Sequence, residues 1–427
     1  MARQMKDSGI EWIGEIPVDW SMKRVKHIFT RKNEKVMQEN PTILSLARDG
    51  VKVRDISNNE GQIAESYYNY NPVEKGDLLL NPMDLYSGAN CSISKVQGVI
   101  SPAYINLRAN AGINPTFYDY YFKVQYWLMV FFSYGKGVSY DNRWTLSAET
   151  LMNYPAVALS YEEQCKRANY LDRKCAQIDA IISKQQQIIE KLKEYKLSII
   201  TEAVTKGLDP NVPMKDSGVE WIEEIPEKWQ KAKLKNTCQF INGDRSSNYP
   251  SPNDYVDKGI PFLGADSLCG RYVDIAQSKK ITNEKYRSMG GAKIQKGDIL
   301  YTLRGSTIGK NAMAMFDDGT VASSLMVIRP ISLVPEFLLY WLNSEEEFQQ
   351  RQSYINGSTA PNLSADNVGT FILFLPSTVE QLRIANFLDK KCNEIELAIQ
   401  KKQRMIEKLS DYKKSLIYEV VTGKKEV

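Results

Sequence analysis

The chain has 427 residues, 43% of them hydrophobic, which is enough for two or three ordinary domains with real cores. Its net charge is only +4, from 55 basic and 51 acidic side chains, and so does not by itself establish nucleic-acid binding. The sequence has no long apolar run, no leader pattern, and only one histidine beside six scattered cysteines, which excludes a membrane span and a Cys/His zinc site and predicts a cytoplasmic protein.

The first segment of the chain, Met5–Trp20, is repeated later. It reads MKDSGIEWIGEIPVDW, and Met214–Trp229 reads MKDSGVEWIEEIPEKW, so that twelve of the sixteen positions are identical. Chance does not explain such a match. The repeat indicates that the chain is one structural unit written twice.

A variable region follows each copy of this segment, at residues 21–160 and 230–377. Apolar or β-branched runs alternate there with turn signals and predict strands at Gly76–Leu80, Val99–Leu107, Asp298–Leu303 and Leu325–Arg329. Helices are predicted at Pro115–Phe132 and Pro335–Gln352, packed on those strands. The mixture predicts the α+β class for both regions.

A long helix is predicted after each variable region, at Tyr161–Lys206 and Thr378–Gly423. Each begins with a capping box, Ser160-x-x-Glu163 or Ser377-x-x-Glu380. Apolar residues spaced alternately by four and three positions form one stripe per helix, which is typical of coiled-coil pairing. The residues predicted to pack between the helices are Leu171, Ile178, Ile182, Ile189, Leu192, Leu388, Ile395, Ile399, Ile406 and Leu409. Those predicted to widen the two stripes are Ile181, Ile188, Tyr195, Ala398, Met405 and Tyr412.

Connectivity predicts the direction of the pair. A short linker, Gly207–Pro213, starts the second copy where the first helix ends, so the second helix must run back along the first to bury its stripe. The helices are therefore predicted to form an antiparallel coiled coil between two pseudo-two-fold-related α+β domains, about 50 Å long from Leu171 to Ala203 at about 1.5 Å per residue. A solitary coiled-coil spacer or a dimerisation zipper is the alternative, although neither requires a copied domain at each end.

Polar and basic residues cluster in loops of both variable regions. Arginine suits guanine edges, asparagine suits adenine, and serine or threonine can meet bases or phosphates, although each such residue alone is also typical of a solvated loop. The candidate DNA-binding residues are Arg48, Lys52, Arg54, Ser87, Asn90, Lys136, Tyr140, Asn142, Arg143, Arg245, Ser246, Asn248, Arg304, Ser306, Thr307, Lys310, Asn356 and Asn362.

Motifs for catalysis fail on inspection. Asn81-Pro82-Met83-Asp84 lacks the second proline and the aromatic residue of an adenine methyltransferase signature. Arg304–Asn311 lacks the first glycine and the final Ser/Thr of a phosphate-binding loop. We therefore expect no catalytic residue, no metal ligand and no cofactor site in this chain.

These residues together resemble the DNA-specificity subunit of type I restriction–modification systems. The resemblance is carried by the duplicated Trp-Ile-x-Glu-Ile-Pro segment (Trp12–Pro17, Trp221–Pro226) and by the Glu-Gln start of each long helix. It also rests on the Glu-Lys-Leu-x-x-Tyr-Lys-x-Ser stretch (Glu190–Ser198, Glu407–Ser415) and on the Gly297–Lys310 run. It covers essentially the whole chain. The first variable region departs from the pattern of Gly297–Lys310, which makes its contact loop harder to place.

The resemblance implies target-recognition domains at 1–160 and 208–377, a central conserved helix at 161–207 and a distal one at 378–427. It further implies a non-catalytic subunit that reads the two halves of a split site in double-stranded DNA and docks two adenine methyltransferase subunits. S-adenosylmethionine, and ATP with magnesium where motor and nuclease subunits take part in restriction, would bind to the partners. The alternatives are a self-contained DNA methyltransferase or nuclease, and a coiled-coil scaffold without DNA specificity.

Overall fold

The computed structural model describes residues 3–35, 41–55, 66–83, 85, 90–137, 144–219, 221–355 and 362–427. The chain folds into two units. Unit 1 comprises Met1–Gln185 with Arg404–Val427, and unit 2 comprises Gln186–Gln403. Each unit therefore contains one half of each of the two long helices.

Unit 1 contains twelve short strands among the described residues. They are β1 (Met5–Asp7), β2 (Glu15–Pro17), β3 (Ser21–Arg24), β4 (Phe29–Lys32), β5 (Leu44–Ala47), β6 (Gly50–Val53), β7 (Asn71–Val73), β8 (Leu78–Leu80), β9 (Cys91–Ile93), β10 (Gly98–Ile100), β11 (Ile105–Ala109) and β12 (Pro155–Ala158). Its helices are α1 (Pro115–Trp127), α2 (Val130–Ser133), α3 (Ala148–Asn153) and the first half of α4 (Tyr161–Lys206).

The central sheet of unit 1 has the strand order β4-β11-β8-β9 and is antiparallel throughout. Leu107 of β11 pairs with Arg31 of β4 on one side and with Leu78 of β8 on the other. The side chains of β8 are fully buried, as expected for a continuous apolar run inside a sheet. Helix α1 covers this sheet.

Unit 2 repeats this plan. Its strands are β13 (Met214–Val219), β14 (Ile222–Pro226), β15 (Gln230–Lys233), β16 (Cys238–Asn242), β17 (Tyr255–Leu263), β18 (Lys279–Ile281), β19 (Ile299–Thr302), β20 (Asn311–Met313), β21 (Thr320–Val321), β22 (Leu325–Pro330) and β23 (Ile372–Leu375). Its helices are α5 (Asn283–Ser288), α6 (Pro335–Trp341), α7 (Glu345–Tyr354), α8 (Ala365–Gly369) and the first half of α9 (Thr378–Val421).

The central sheet of unit 2 has the order β16-β22-β19-β20, which matches β4-β11-β8-β9 strand for strand. The pairs β3–β12 and β15–β23 also correspond, as do the hairpins β1–β2 and β13–β14. The units differ at one side. Unit 1 carries the hairpin β5–β6 and the pair β7–β10, whereas unit 2 carries the sheet β18-β17-β21. The predicted α+β class is confirmed.

Both helices predicted on the sheets are interrupted. Helix α1 ends at Trp127 because Met129 adopts a left-handed conformation, with φ of 58°, before α2 begins. Helix α6 ends at Trp341, where the side chains of Asn343 and Ser344 donate to the carbonyls of Leu339 and Trp341 at 2.7 Å each. Such bonds compete with a continuing helix. The apolar pattern runs through both interruptions and did not reveal them.

The long helices are antiparallel within each unit. In unit 1, Arg167 Nη1 donates to the carbonyl of Val420 at 2.8 Å, and Lys413 Nζ lies 2.7 Å from Asp179. As α4 advances from 167 to 179, α9 thus returns from 420 to 413. In unit 2, Lys196 pairs with Glu396, and a Cβ atom on Gly207 would lie 3.2 Å from Glu380. The predicted antiparallel coiled coil of two long helices is confirmed.

The stripe between the helices is narrower than the sequence suggests. Leu171, Ile178, Leu388 and Ile395 are buried, as are Ile189 and Ile406, while Ile182, Leu192, Ile399 and Leu409 are half-buried. The predicted widening is wrong for the exposed side chains, which are Ile181, Ile188, Tyr195, Met405 and Tyr412. A helix that pairs with one partner buries only the seam that faces it.

In the part of the chain that the structure describes, no helix combines the length and apolar character required to cross a membrane.

Candidate nucleic-acid interface

Loops from four places in the sequence meet at one end of the central sheet of unit 2. Because β22 runs antiparallel to both of its neighbours, the end of β16, the end of β19 and the start of β22 lie at the same end of the sheet. Backbone hydrogen bonds join them: Gly243 N donates to the carbonyl of Leu325 at 3.1 Å, and Leu303 N donates to that of Ser324 at 2.9 Å. The segment after residue 361 joins the same end of the sheet, because Leu363 N donates to the carbonyl of Leu303 at 2.9 Å.

The first of these loops, 243–249, is held tightly. A Cβ atom on Gly243 would collide with the carbonyl of Ala322, so only glycine fits there. The carboxylate of Asp244 accepts from the amides of Ser246 and Gly290 at 2.7 and 2.8 Å. Hydrogen bonding from Ser246 and from these amides lowers the pKa of Asp244. The Asp244 carboxylate therefore stabilises the conformation of loop 243–249.

Two of the arginines predicted to bind DNA lie close together at this end of the sheet. Arg245 and Arg304, both exposed, line a cleft of about 360 Å³ together with Tyr249 and Ser323. The four described lining residues thus include two guanidinium groups and no carboxylate. The ring of Tyr249 is fixed by an edge-to-face contact with Phe262, with ring centroids 5.5 Å apart. Paired arginines beside a rigid aromatic ring suit phosphate or guanine recognition.

The other predicted residues of unit 2 fall into two groups. Ser246, Ser306, Thr307 and Asn362 are exposed around the cleft, and Asn362 forms an isolated backbone bridge with Arg304. Lys310 and Asn248 are already engaged. Lys310 Nζ donates to the carbonyl of Ala265 at 3.0 Å, and Asn248 Nδ2 donates to that of Ser288 at 3.2 Å. These two side chains therefore stabilise the loops that carry them.

The predicted residues of unit 1 lie in two places. Asn90 Nδ2 donates to the carbonyl of Ala47 at 2.5 Å and so lies beside the β5–β6 hairpin that carries Arg48 and Lys52. Arg48 is exposed, while Lys52 pairs with Asp49 at 2.5 Å. The half-buried Arg54 follows β6, and the exposed Lys136 forms a backbone bridge with Thr145. Ser87, Tyr140, Asn142, Arg143 and Asn356 lie outside the described residues.

Sequence reasoning missed Tyr249 and Ser323. Tyr249 directly follows the predicted loop 243–248, so extending that loop by one residue would have included it. Ser323 carries no local signal, because it reaches the cleft only through the strand pairing of β22. Loop residues that precede a strand become visible as site residues only when the register is known.

The repeated Gly-Asp sequence has a structural role in both units. Asp77 and Asp298 are buried, and each accepts from an arginine on the neighbouring strand: Arg108 Nε at 2.8 Å and Arg329 Nη2 at 2.7 Å. Each also accepts a backbone amide of its own turn at 2.8 Å, from Glu74 and from Gln295. The motif therefore ties the two central strands of each sheet together and is not part of the cleft.

The repeated Trp and Glu-Gln sequences likewise hold the fold together. Trp20 Nε1 donates to Glu163 at 3.1 Å, and Trp229 Nε1 donates to Glu380 at 3.2 Å. The hydroxyls of Ser160 and Ser377 cap the long helices as predicted, accepting from the amides of Glu163 and Glu380 at 3.2 and 3.3 Å. The glutamate carboxylates bind the tryptophans instead of completing the predicted capping boxes.

No group of three or more His, Cys, Asp or Glu side chains that could hold a metal ion occurs among the residues with described positions.

Residues 226–408 match a family model described as the type I restriction modification DNA specificity domain. The type I restriction enzyme EcoBI specificity subunit of Escherichia coli is 30% identical over 207 residues, which cover 46% of this chain and 42% of that protein. The MjaVIII specificity subunit of Methanocaldococcus jannaschii is 22% identical over 430 residues, covering 96% of this chain and 93% of that protein. The chain thus spans less than half of the first relative and nearly all of the second.

Solved structures share the fold. A chain from a structure concerned with complex assembly and conformational transition of the type I R-M system gives a TM-score of 0.73 at 15% identity, covering 95% of this chain and 98% of that one. The HsdS subunit from Thermoanaerobacter tengcongensis gives a TM-score of 0.53 at 15% identity, covering 96% of this chain and 98% of that one. The family resemblance predicted from the repeats is confirmed.

Proposed function

We propose that this chain, whose residues 226–408 match the type I restriction modification DNA specificity domain, reads the two halves of a split DNA site with its two variable regions. The observation that carries this proposal is the cleft of unit 2. Arg245 and Arg304 line it together, on loops that are fixed to one end of the central sheet. Such loops vary in sequence without disturbing the sheet that holds them.

The duplication supports a bipartite target. Both units present the same strand order and the same Asp–Arg pair between neighbouring strands, while their loops differ. One skeleton with two sets of loops suits one site with two different halves. The finer proposal is that the paired long helices set the spacing between the halves, which for readers on one face of B-DNA is about one helical turn, roughly 34–36 Å.

Protein partners complete the activity in this proposal. The chain itself is non-catalytic, two adenine methyltransferase subunits with S-adenosylmethionine dock on it, and motor and nuclease subunits join them for restriction. The adenine must leave the base stack to be methylated, and that step belongs to the methyltransferase subunits.

The test is methylation mapping. The chain is co-expressed with its neighbouring methyltransferase, and methylated adenines are mapped across the genome for the wild type and for Arg245→Ala/Arg304→Ala. We expect a split motif in which the double variant relaxes one half only, since each lost bidentate guanine contact removes about 1–3 kcal/mol of discrimination. The variant Arg287→Ala, exposed on α5, is the matched control. An unsplit motif, or equal loss of both halves, would contradict the proposal.

A further inference from the structure

A second concavity in unit 2 lies apart from the arginine cleft. It has a volume of about 670 Å³ and is formed by the second half of α4, the β13–β14 hairpin and the start of α7. We call it the acidic groove, and its main polar and aromatic lining residues are Glu194, Glu202, Lys206, Trp221, Glu223 and Glu346. With Glu345 the lining contains five glutamates against one lysine, so the groove favours a cation.

Glu346 is the residue that distinguishes this groove from an ordinary acidic surface. Its side chain lines the groove although the residue is only 7% exposed, and its Oε2 atom has no hydrogen-bond partner among the described residues. Burial raises the pKa of Glu346 to about 7, against a smaller opposing effect of a hydrogen bond with the Trp221 side chain. A buried carboxylate oxygen that remains unpaired, as Oε2 does, is costly and indicates a missing ligand.

The start of α7 is held in place on α4. The amide of Glu345 donates to Thr201 Oγ1 at 3.0 Å, which fixes the first turn of α7 against the conserved helix. Trp221, which also lines the groove, is 50% exposed. A carboxylate and an exposed indole face therefore border one space, and this pair of groups suits a guanidinium ion, which can stack on the ring and pair with the carboxylate.

Unit 1 shows what a filled version of this groove looks like. Tyr418 occupies the repeat position of Thr201, and its hydroxyl donates to the carbonyl of Trp12, the counterpart of Trp221, at 3.2 Å. Trp12 is half-buried where Trp221 is exposed. The same place in the fold is thus closed by the chain's own tyrosine in unit 1 and left open in unit 2.

We infer that the acidic groove binds an arginine side chain presented by a partner polypeptide, beside Trp221 and the unpaired Oε2 atom of Glu346. The inference rests on the proposed function only in that a specificity subunit needs protein partners. Charge complementarity names the occupant, because five glutamates repel the DNA backbone and attract a basic segment. The groove is separate from the arginine cleft, so its occupation leaves DNA binding unaffected.

The test uses the full-length chain and the peptide acetyl-tetra-arginine amide, titrated by calorimetry at pH 7.5 in two buffers of different ionisation enthalpy. We expect saturable binding with proton release, since a guanidinium ion favours the ionised form of Glu346. Glu346→Gln should weaken binding by roughly tenfold, equal to about 1.4 kcal/mol. Thr201→Tyr, which copies the filled groove of unit 1, should weaken it similarly, while Glu284→Gln on the exposed face of α5 should not.

Equal affinity in Glu346→Gln and the wild type, or binding without proton release, would overturn the inference. If Thr201→Tyr fails to fold, as judged by its thermal unfolding, the Glu346→Gln comparison decides alone. DNA binding of Glu346→Gln is measured in parallel by fluorescence anisotropy. A loss of DNA binding in that variant would also overturn the inference, whereas loss of DNA binding in Arg245→Ala/Arg304→Ala bears only on the proposed function.

Discussion

The two units share one skeleton and the same buried Asp–Arg pair, but they differ in how other buried carboxylates are paired. In unit 1, Glu163 accepts from Trp20, Arg3 and Arg167, and the ring of Trp20 lies 4.7 Å from the guanidinium carbon of Arg167. In unit 2, Ile384 stands at the repeat position of Arg167, and the Oε2 atom of the buried Glu346 has no hydrogen-bond partner among the described residues. A satisfied buried charge serves the fold, whereas an unsatisfied one indicates a site whose partner is another molecule.

The shared skeleton predicts the largest effect. Trp20→Ala and Trp229→Ala each remove a fully buried ring and its bond to a helix-start glutamate, and each should lower the free energy of unfolding by about 3–5 kcal/mol. Hydrogen exchange should locate the loss in the unit that carries the substitution. A loss below 1 kcal/mol in either variant would show that the repeated tryptophans are not equivalent.

The charged junction of unit 1 predicts an acid-dependent effect. Burial alone would raise the pKa of Glu163, but hydrogen bonds from Arg3, Arg167 and Trp20 lower it to about 2. Stability from a lowered carboxyl pKa is present above its unfolded value of about 4.5 and is lost as the pH falls toward 2. Glu163→Gln should therefore be less stable than the wild type at pH 6, by up to about 3 kcal/mol. The difference should shrink in urea titrations below pH 4.5, and a constant difference would contradict the assignment.

For Glu346 in the acidic groove, the predicted change of stability with pH has the opposite sign. Because the pKa of Glu346 is raised to about 7, the wild type loses stability as the pH rises from about 4.5 to 7, where the carboxyl ionises in the unfolded chain but stays protonated in the folded one. Glu346→Gln should match the wild type at pH 4.5 and be more stable at pH 8, by at most about 3 kcal/mol. Urea midpoints at the two pH values test this. Greater stability of the wild type at pH 8 would show that the ionised carboxylate is stabilised within the chain and would contradict this prediction.

The helix pairing predicts the smallest effect. Lys196–Glu396 and Lys413–Asp179 are repeat-related ion pairs, at 2.5 and 2.7 Å, between partly exposed side chains. Lys196→Met and Lys413→Met should each change the free energy of unfolding by less than about 1 kcal/mol. The two values should also agree with each other. A large or unequal change would indicate that these pairs do more than lie along the seam.

The repeats predicted the architecture well because the repeated residues are those that pack the helices and strands together. The seam residues Leu171 and Leu388 repeat at one helical face, and Asp77 and Asp298 repeat because each anchors a strand to an arginine. The helix interruptions escaped prediction, because the apolar pattern continues through the left-handed Met129 and through Asn343, whose side chain bonds to the backbone one turn earlier.

The candidate site was predicted only in part. Arg245 and Arg304 were singled out by residue type, but their convergence depends on the register that joins β16, β19 and β22. Ser323 had no signal at all. Glu346 was overlooked because nothing in a run of three glutamates at a helix start distinguishes the one with a buried, unpaired carboxylate oxygen.

The central claim is that paired helices hold two DNA readers at a set spacing. The most direct test inserts one heptad after Gln185 and one after Lys402, the matching position of the antiparallel partner, followed by methylation mapping with the neighbouring methyltransferase. Seven residues add about 10 Å of helix, so we predict unchanged half-sites with a spacer longer by roughly three base pairs. Methylation at the original spacing would contradict the account.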